Sequence, residues 1–362
     1  MDVSPAGSVG IVGGGVIGLS IAFELASLGR DVSLFDPTPG KGASWAAAGM
    51  LSPAAEVAPG EESLFDDLRR ASVLWPLFAE RIEAASGLGI GFVRSGSILV
   101  GSTSSDARDV ARTAALIGSA GFEVEPVGGV ELGELEPTLR ASARGGWVVP
   151  DDFRVDNRQL VEALLEAAKA LGVRVVEDRC TRLDCSGRAL RLSLANQGSL
   201  EVDACVLATG SARPIDGTQD LGLPPVRPVR GATIRLGAVG GVAVPTRTIR
   251  AVVDAVHCYV VPRLDRSVVV GATSEERGFD EVAPAGGVFR LLEAARTVFP
   301  GIDELTFKEA AVGLRPATAD HIPHVARLND ARVIAALGHY RNGVLLSPLA
   351  GERVAQLLES FG

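Results

Sequence analysis

The chain has 362 residues, 47% of them hydrophobic, with 43 glycines and a formal net charge of -9. That length allows two domains with sizeable cores, while the acidic balance and the lack of any basic block argue against nucleic acid or an anionic membrane as partner. No apolar stretch reaches spanning length without a glycine or a charge, and residues 1–7 are too short and too uncharged for a signal peptide, so a soluble, cytoplasmic protein is expected.

Ser8 to Val12 is a short apolar run of the kind that forms a buried parallel strand. Gly13, Gly14 and Gly15 follow, then Val16, Ile17 and Gly18, and an apolar helical pattern from Ile17 to Leu28 that Gly29 stops. A second run, Val32 to Phe35, ends in Asp36. This strand, glycine turn, helix, strand and terminal acid have the layout of a dinucleotide site. Gly13 is placed for the tight turn, Gly15 for backbone approach to a pyrophosphate, and Gly18 for close packing of helix on strand. The helix N-terminus offers free amides to phosphate, and Asp36 an acceptor to a ribose diol.

Beyond Asp36, the small residues from Ala46 to Pro53 mean close backbone packing, either a helix start on the sheet or a backbone lying against a flat ring. Glu61 to Ser86 reads as a long amphipathic helix, with Pro76 expected to kink or divide it and Trp75 expected in the core. Phe92 to Val100 reads as a strand with a turn at Ser95–Gly96, Asp106 to Gly121 as a helix, and Phe122 to Val127 as extended chain. A short helix over Leu132 to Pro137 and a strand over Gly146 to Val149 follow. Asn157 to Leu171 and Val173 to Val176 return to a helix–strand pattern, and Arg182 to Leu200 alternates as antiparallel strands do. Val202 to Leu207 then runs into Ala208, Thr209 and Gly210, a strand end of the kind that meets ligands at the carboxyl edge of a parallel sheet. After the proline-rich Leu223 to Pro228, short alternating strands are expected over Ala232 to Leu236, Val242 to Pro245, Thr248 to Val253, Tyr259 to Arg263 and Ser267 to Thr273. A helix over Phe289 to Phe299, a buried strand over Arg332 to Leu337 and a closing helix over Gly351 to Ser360 complete the chain.

The fold class is therefore α/β: a discontinuous, Rossmann-like dinucleotide domain (1–86, 147–221 and 306–362) with an α+β, antiparallel-sheet substrate domain built from the insertions (87–146 and 222–305). The four cysteines, Cys180, Cys185, Cys205 and Cys258, show no metal-ligand spacing and read as reduced, half-buried residues.

Polar aromatic residues are rare and clustered. His257 and Tyr259 share HCYVVPR, on one face of a strand, and His339 and Tyr340 share GHYRNG, so two pocket walls are expected. Arg315, in Gly313–Leu314–Arg315–Pro316, and Arg341, in Arg341–Asn342–Gly343, are arginines in rigid settings, suited to a bidentate carboxylate or to a surface ion pair. No serine–histidine–acid order, HExxH or Walker loop is present, so the chemistry is expected to come from a bound cofactor.

Together VGIVGGGVIGLSIAFEL, AAAGMLSP, VLATG, HCYVVPR, VVVGAT, GLRPATADHIP and GHYRNGVLLSP resemble the FAD-dependent amino-acid oxidases of the D-amino-acid oxidase and glycine oxidase superfamily, above all the glycine-oxidase branch of thiamine biosynthesis. The resemblance implies non-covalent FAD held by Gly13, Gly15, Val16, Ile17, Gly18 and Asp36, with Ser44, Ala47, Ala48, Gly49 and Met50 alongside the flavin. It puts the backbone near Cys180 and Thr181 on the adenine side, Thr209 and Gly210 at the strand end, and Arg341, Asn342, Gly343, Val344 and Leu345 at the flavin pyrimidine. Arg315 would hold the substrate carboxylate with Tyr259 in support, Arg341 near the ring, and His257 and Ser274 in the active site. The reaction implied is oxidation of a small amino acid or amine by O2, giving peroxide and an imine that hydrolyses or passes to thiazole synthase. A homotetramer is implied as well. Two departures stand out: Ser274 replaces a methionine of the glycine oxidases, and Ala311–Val312 replace a familiar aromatic. A D-amino-acid dehydrogenase, a small-amine oxidase with another acceptor, a tRNA-modifying oxidase module and a non-catalytic flavin subunit are the competing expectations.

Overall fold

The structure is a computed structural model that describes residues 7–140, 145–212 and 214–359. Two large sheets organise it. The first has six strands in the order His324–Arg327, Val333–Leu337, Ala204–Leu207, Val9–Val12, Val32–Phe35 and Arg174–Val176. Its pairs are parallel except at the His324–Arg327 edge. Strand Val9–Val12 is buried along its whole length, which is why it reads as an unbroken apolar run. The chain leaves it for Val32–Phe35 on one side, while Ala204–Leu207 lies on the other, so a crevice opens at its carboxyl end.

Helix Val16–Ser27 packs beneath this sheet against helices Asn157–Ala170 and Gly343–Glu359. Helix Phe65–Ser86 buries Leu68, Ala71, Trp75, Phe78, Ala79 and Ile82, the helical spacing legible in the sequence. It runs unbroken across Pro76, so the proline costs a hydrogen bond without dividing the helix. Trp75 is fully buried, stands edge-on to Phe78 at 5.4 Å, and donates its indole N–H to the Leu345 carbonyl at 2.8 Å. Burying such a side chain stabilises the fold by roughly 2–3 kcal/mol.

The second sheet has eight strands in the order Thr306–Ala317, Arg227–Gly237, Ser267–Gly271, Val256–Pro262, Thr248–Val253, Ser97–Gly101, Gly145–Val149 and Glu125–Gly128. One pair, Thr248–Val253 with Ser97–Gly101, is parallel and the rest are antiparallel. A three-stranded antiparallel sheet, Cys180–Asp184, Leu190–Leu194 and Ser199–Val202, occupies the 182–200 region as expected.

Several expectations need correction. Val242 to Pro245 is irregular, with Pro245 and two glycines before it denying a ladder. Strand Thr306–Ala317, twelve residues long, went unread because Gly313 and Pro316 interrupt its pattern. It pairs along its length with Arg227–Gly237, so residues 306–317 belong to the eight-stranded sheet and the chain returns to the six-stranded one only after Ala317. The strand expected from Phe92 begins at Ser97, after a turn in which Gly96 has a φ of 70°. The closing helix starts at Gly343 and carries Pro348 inside it; Ser360, expected to end it, lies outside the described residues. No helix among the described residues is long and apolar enough to cross a membrane.

Candidate functional site

A cavity of about 1120 Å³ runs from the crevice of the six-stranded sheet to the face of the eight-stranded one. Gly13, Gly15, Val16, Ile17 and Asp36 line its first end, with Thr181 and the Thr209–Gly210 strand end opposite. Gly13 and Gly18 are each fixed by a close backbone contact, and Gly15 is not. Gly13 turns at a φ of 109°, where a side chain would meet the Ala208 carbonyl at 2.3 Å. A Cβ on Gly15 would point into the cavity and meet only the Ser44 hydroxyl, at 3.4 Å. Gly18 is not on the cavity wall; a Cβ there would come within 1.8 Å of the Gly13 carbonyl, so its role is helix–strand packing. The Asp36 carboxylate accepts the Gly14 and Thr38 amides, each at 2.7 Å, and so orders the turn while still facing the cavity. Ser44 Oγ accepts the Val16 amide at 2.9 Å, taking up a helix N-terminal donor.

Residues 44–48 hang from polar side chains by their carbonyls. Asn157 donates to the Ser44 carbonyl at 2.7 Å, Thr233 to that of Ala46 at 2.8 Å, Arg235 to that of Ala47 at 3.4 Å, and Arg263 to that of Ala48 at 2.6 Å. With the backbone fixed from behind, Ala47, Ala48 and Gly49 present small surfaces to the cavity, and Met50 lines it beside them. Burial pushes both Arg235 and Arg263 down to about 10. Gly313 lies against this segment so closely that a Cβ would meet that of Ala46 at 2.9 Å.

The far end is built of side chains on one sheet face. Tyr259 lies flat over Gly271, its partner across the strands, where a Cβ would strike the ring at 2.4 Å. Arg315 lies over Gly231 in the same way and donates to the Thr273 carbonyl at 3.1 Å. Burial raises the Tyr259 phenol, with neighbouring Arg315 pulling it back. His257 stands exposed at the rim, and Ser274 and Val312 also line this end.

Three half-buried arginines share the cavity wall: Arg250, Arg315 and Arg341. Arg250 pairs with Glu56 at 2.8 Å; Arg341 pairs with Glu56 at 2.9 Å and with Glu61 at 2.5 Å. Burial would push Glu56 up, but the two arginines together hold it below the usual carboxylate range. Arg315 has no carboxylate partner among the described residues. Sequence reasoning placed Arg341 near the ring; the structure brings it to the cavity but commits its guanidinium to the two glutamates, so it is not an open carboxylate fork. Asn342, Gly343, Val344 and Leu345 line the cavity beside it. His339, on the same wall, is 3% exposed; burial, with Arg353 nearby, brings it down to about 4. Tyr340 stacks on His321 at 4.4 Å.

Glu56, Arg250, Arg235 and Arg263 were missed. Arg263 was legible: it shares strand parity with Tyr259 and Val261, and an arginine at an inward position must find buried acceptors. The cavity also fits a dinucleotide on its own terms. Gly15 leaves the helix start open for phosphate, and Asn342 Oδ1 is a buried acceptor without a partner, so a ligand donor would satisfy it.

The family described as FAD dependent oxidoreductase (DAO) matches residues 8–357. Glycine oxidase of Geobacillus kaustophilus is 35% identical over 97% of this chain and 92% of that protein. The bifunctional protein ThiO/ThiG of Trichormus variabilis is 31% identical over 96% of this chain, which spans 52% of that longer protein. The crystal structure of the Geobacillus kaustophilus glycine oxidase superposes with a TM-score of 0.89 at 33% identity, covering 99% of this chain and 95% of that one.

Proposed function

The chain belongs to the DAO family of FAD-dependent oxidoreductases, as an FAD amino-acid oxidase, and from that premise we propose that it oxidises glycine, with sarcosine and small D-amino acids as lesser substrates. FAD, when bound, supplies the two-electron acceptor. The substrate loses two electrons and two protons and becomes an imine, which water converts to glyoxylate and ammonia; O2 takes the electrons and becomes hydrogen peroxide.

The observation that carries this reading is Arg315, the one half-buried arginine of the cavity wall without a carboxylate partner among the described residues. Glu56 and Glu61 engage the guanidinium groups of Arg250 and Arg341, so Arg315 is the one of the three left open. That suits one substrate carboxylate, held by a fork whose position the Thr273 carbonyl and the flat bed of Gly231 fix. Tyr259 stands beside it as a half-buried phenol that stays protonated at neutral pH, able to donate to the same carboxylate. The amine needs orientation more than a base. Ser274 and Val312 are small walls, which favours tolerance of substituents beyond glycine. We also propose a division into cofactor and substrate domains, and a thiazole-forming partner as recipient of the imine; the fused ThiO/ThiG relative supports the second.

The test is peroxide release from the purified yellow protein with glycine, sarcosine, D-alanine and D-proline. Peroxide with glycine foremost, lost in Arg315→Ala with FAD retained, is the expected result. Flavin reduction without oxygen consumption would instead identify a dehydrogenase.

A further inference from the structure

Asp152 follows the Gly145–Val149 strand, is 1% exposed, and plays no part in the reaction described above. Its Oδ2 accepts the Ser97 hydroxyl at 2.5 Å, and its Oδ1 accepts the Ala55 amide at 3.4 Å. Ala55 immediately precedes Glu56, the carboxylate clamped by Arg250 and Arg341 on the cavity wall. Arg250 is within electrostatic range of Asp152, with no hydrogen bond or ion pair between them among the described residues, and in the sheet it sits opposite Tyr259. Asp152 therefore acts on Glu56 twice, through the backbone of its neighbour and through the charge of its partner. We propose that Asp152 is a positioning residue for the reaction: from behind the cavity wall it sets, through Arg250 and the Ala55 amide, where the Glu56 carboxylate stands beside Tyr259 and how negative the carboxylate site is. This rests on the reading of Arg315 as the carboxylate holder.

The groups that face Asp152 are Ser97 from one strand, Arg250 from another, and the Ala55 amide and Glu56 from the 52–57 segment. Burial raises Asp152 to about 6, against the pull of Arg250 and both hydrogen bonds. Below that value the group is neutral and Arg250 answers to Glu56 alone. Above it, Asp152 competes with Glu56 for Arg250, and the layer behind the cavity wall carries an extra negative charge. A carboxylate held at Arg315 then binds more weakly as the pH rises.

The experiment titrates acetate into the yellow holoprotein, following flavin absorbance, from about pH 5 to about pH 8, either side of the Asp152 transition. In the wild type the acetate dissociation constant should rise several-fold, with a midpoint near the Asp152 value of about 6. Asp152→Asn should flatten that rise, and with glycine it should flatten the KM profile while kcat stays within about twofold. An unchanged midpoint in Asp152→Asn overturns the proposal, and so does a wild-type flavin that acetate does not perturb. Should Asp152→Asn not yield holoprotein, Ser97→Ala removes a hydrogen bond that favours the charged form and should move the midpoint up; a fixed midpoint there is equally fatal. Anaerobic reduction by amino acids is read separately. Flavin that none of them reduces, with the acetate profiles as expected, ends the amine-oxidation reading and leaves the Asp152 role standing.

Discussion

At the Gly13–Gly18 end of the cavity the wall is backbone: a glycine turn, a helix start, and the carbonyl-hung segment 44–48. At the Arg315 end it is side chains, charged and aromatic, laid over the glycines of a sheet face. The first material tolerates almost nothing, because a Cβ has nowhere to go. The second is adjustable, because each side chain contributes its own charge and shape. Damage should therefore be all-or-none at one end and graded at the other.

The largest effect breaks the backbone end. Gly18→Ala puts a Cβ within 1.8 Å of the Gly13 carbonyl; the purified protein should be colourless, as absorbance and released FAD would record. Arg315→Ala attacks the side-chain end and should leave the protein yellow while kcat/KM for glycine falls about a thousandfold, roughly 4 kcal/mol. A colourless Arg315→Ala protein would erase the distinction between the two ends.

A subtler pair of variants sharpens it. His339 is buried as a neutral base near 4 against an ordinary 6.5, so it contributes stability above pH 6.5 that is lost as pH falls toward 4. Asp152 is buried as a neutral acid near 6 against an ordinary 3.8, so its contribution is present below 3.8 and lost as pH rises through 6. The slopes oppose, each worth up to about 3 kcal/mol, and largely offset one another in the wild type. Relative to wild type, Asp152→Asn should lose stability on acidification and His339→Gln should gain it, as urea unfolding of each at several pH values would show. Parallel slopes would mean that one of the two groups is not buried in the form described. The smallest effect is Trp75→Phe, which forfeits the bond to the Leu345 carbonyl. It should cost about 1 kcal/mol in the same assay and leave FAD content unchanged.

The same division decides what the sequence reveals. The Gly13–Gly18 end is written in consecutive residues, since Val9 to Asp36 form strand, turn, helix and strand in one pass, with Gly13 and Gly18 required by local contacts. The Arg315 end is assembled from strands distant in the chain, and its pairings are long-range. Arg315 was legible as a residue but not as part of a strand, because Gly313 and Pro316 mask the alternation that strand pairing enforces. Glu56 was invisible as a site residue. Only the fold reveals that an acid after Ala54 and Ala55 meets two arginines from 250 and 341. Of the two readings open to the small residues from Ala46 to Pro53, the packed helix start is present as Ala43–Ala46, and the residues after it line the cavity.

The contact of Gly313 with Ala43 and Ala46 has a consequence for how such an enzyme can diversify. It joins the strand that carries Arg315 to the segment that lines the glycine end of the cavity, main chain against main chain, two residues before the arginine itself. The separation between the two ligand sites is thereby inherited from the scaffold rather than negotiated by side chains. Ser274 lines the Arg315 end from outside that join. Substrate range can then be rewritten over generations without the alignment of the reacting partners having to be invented again.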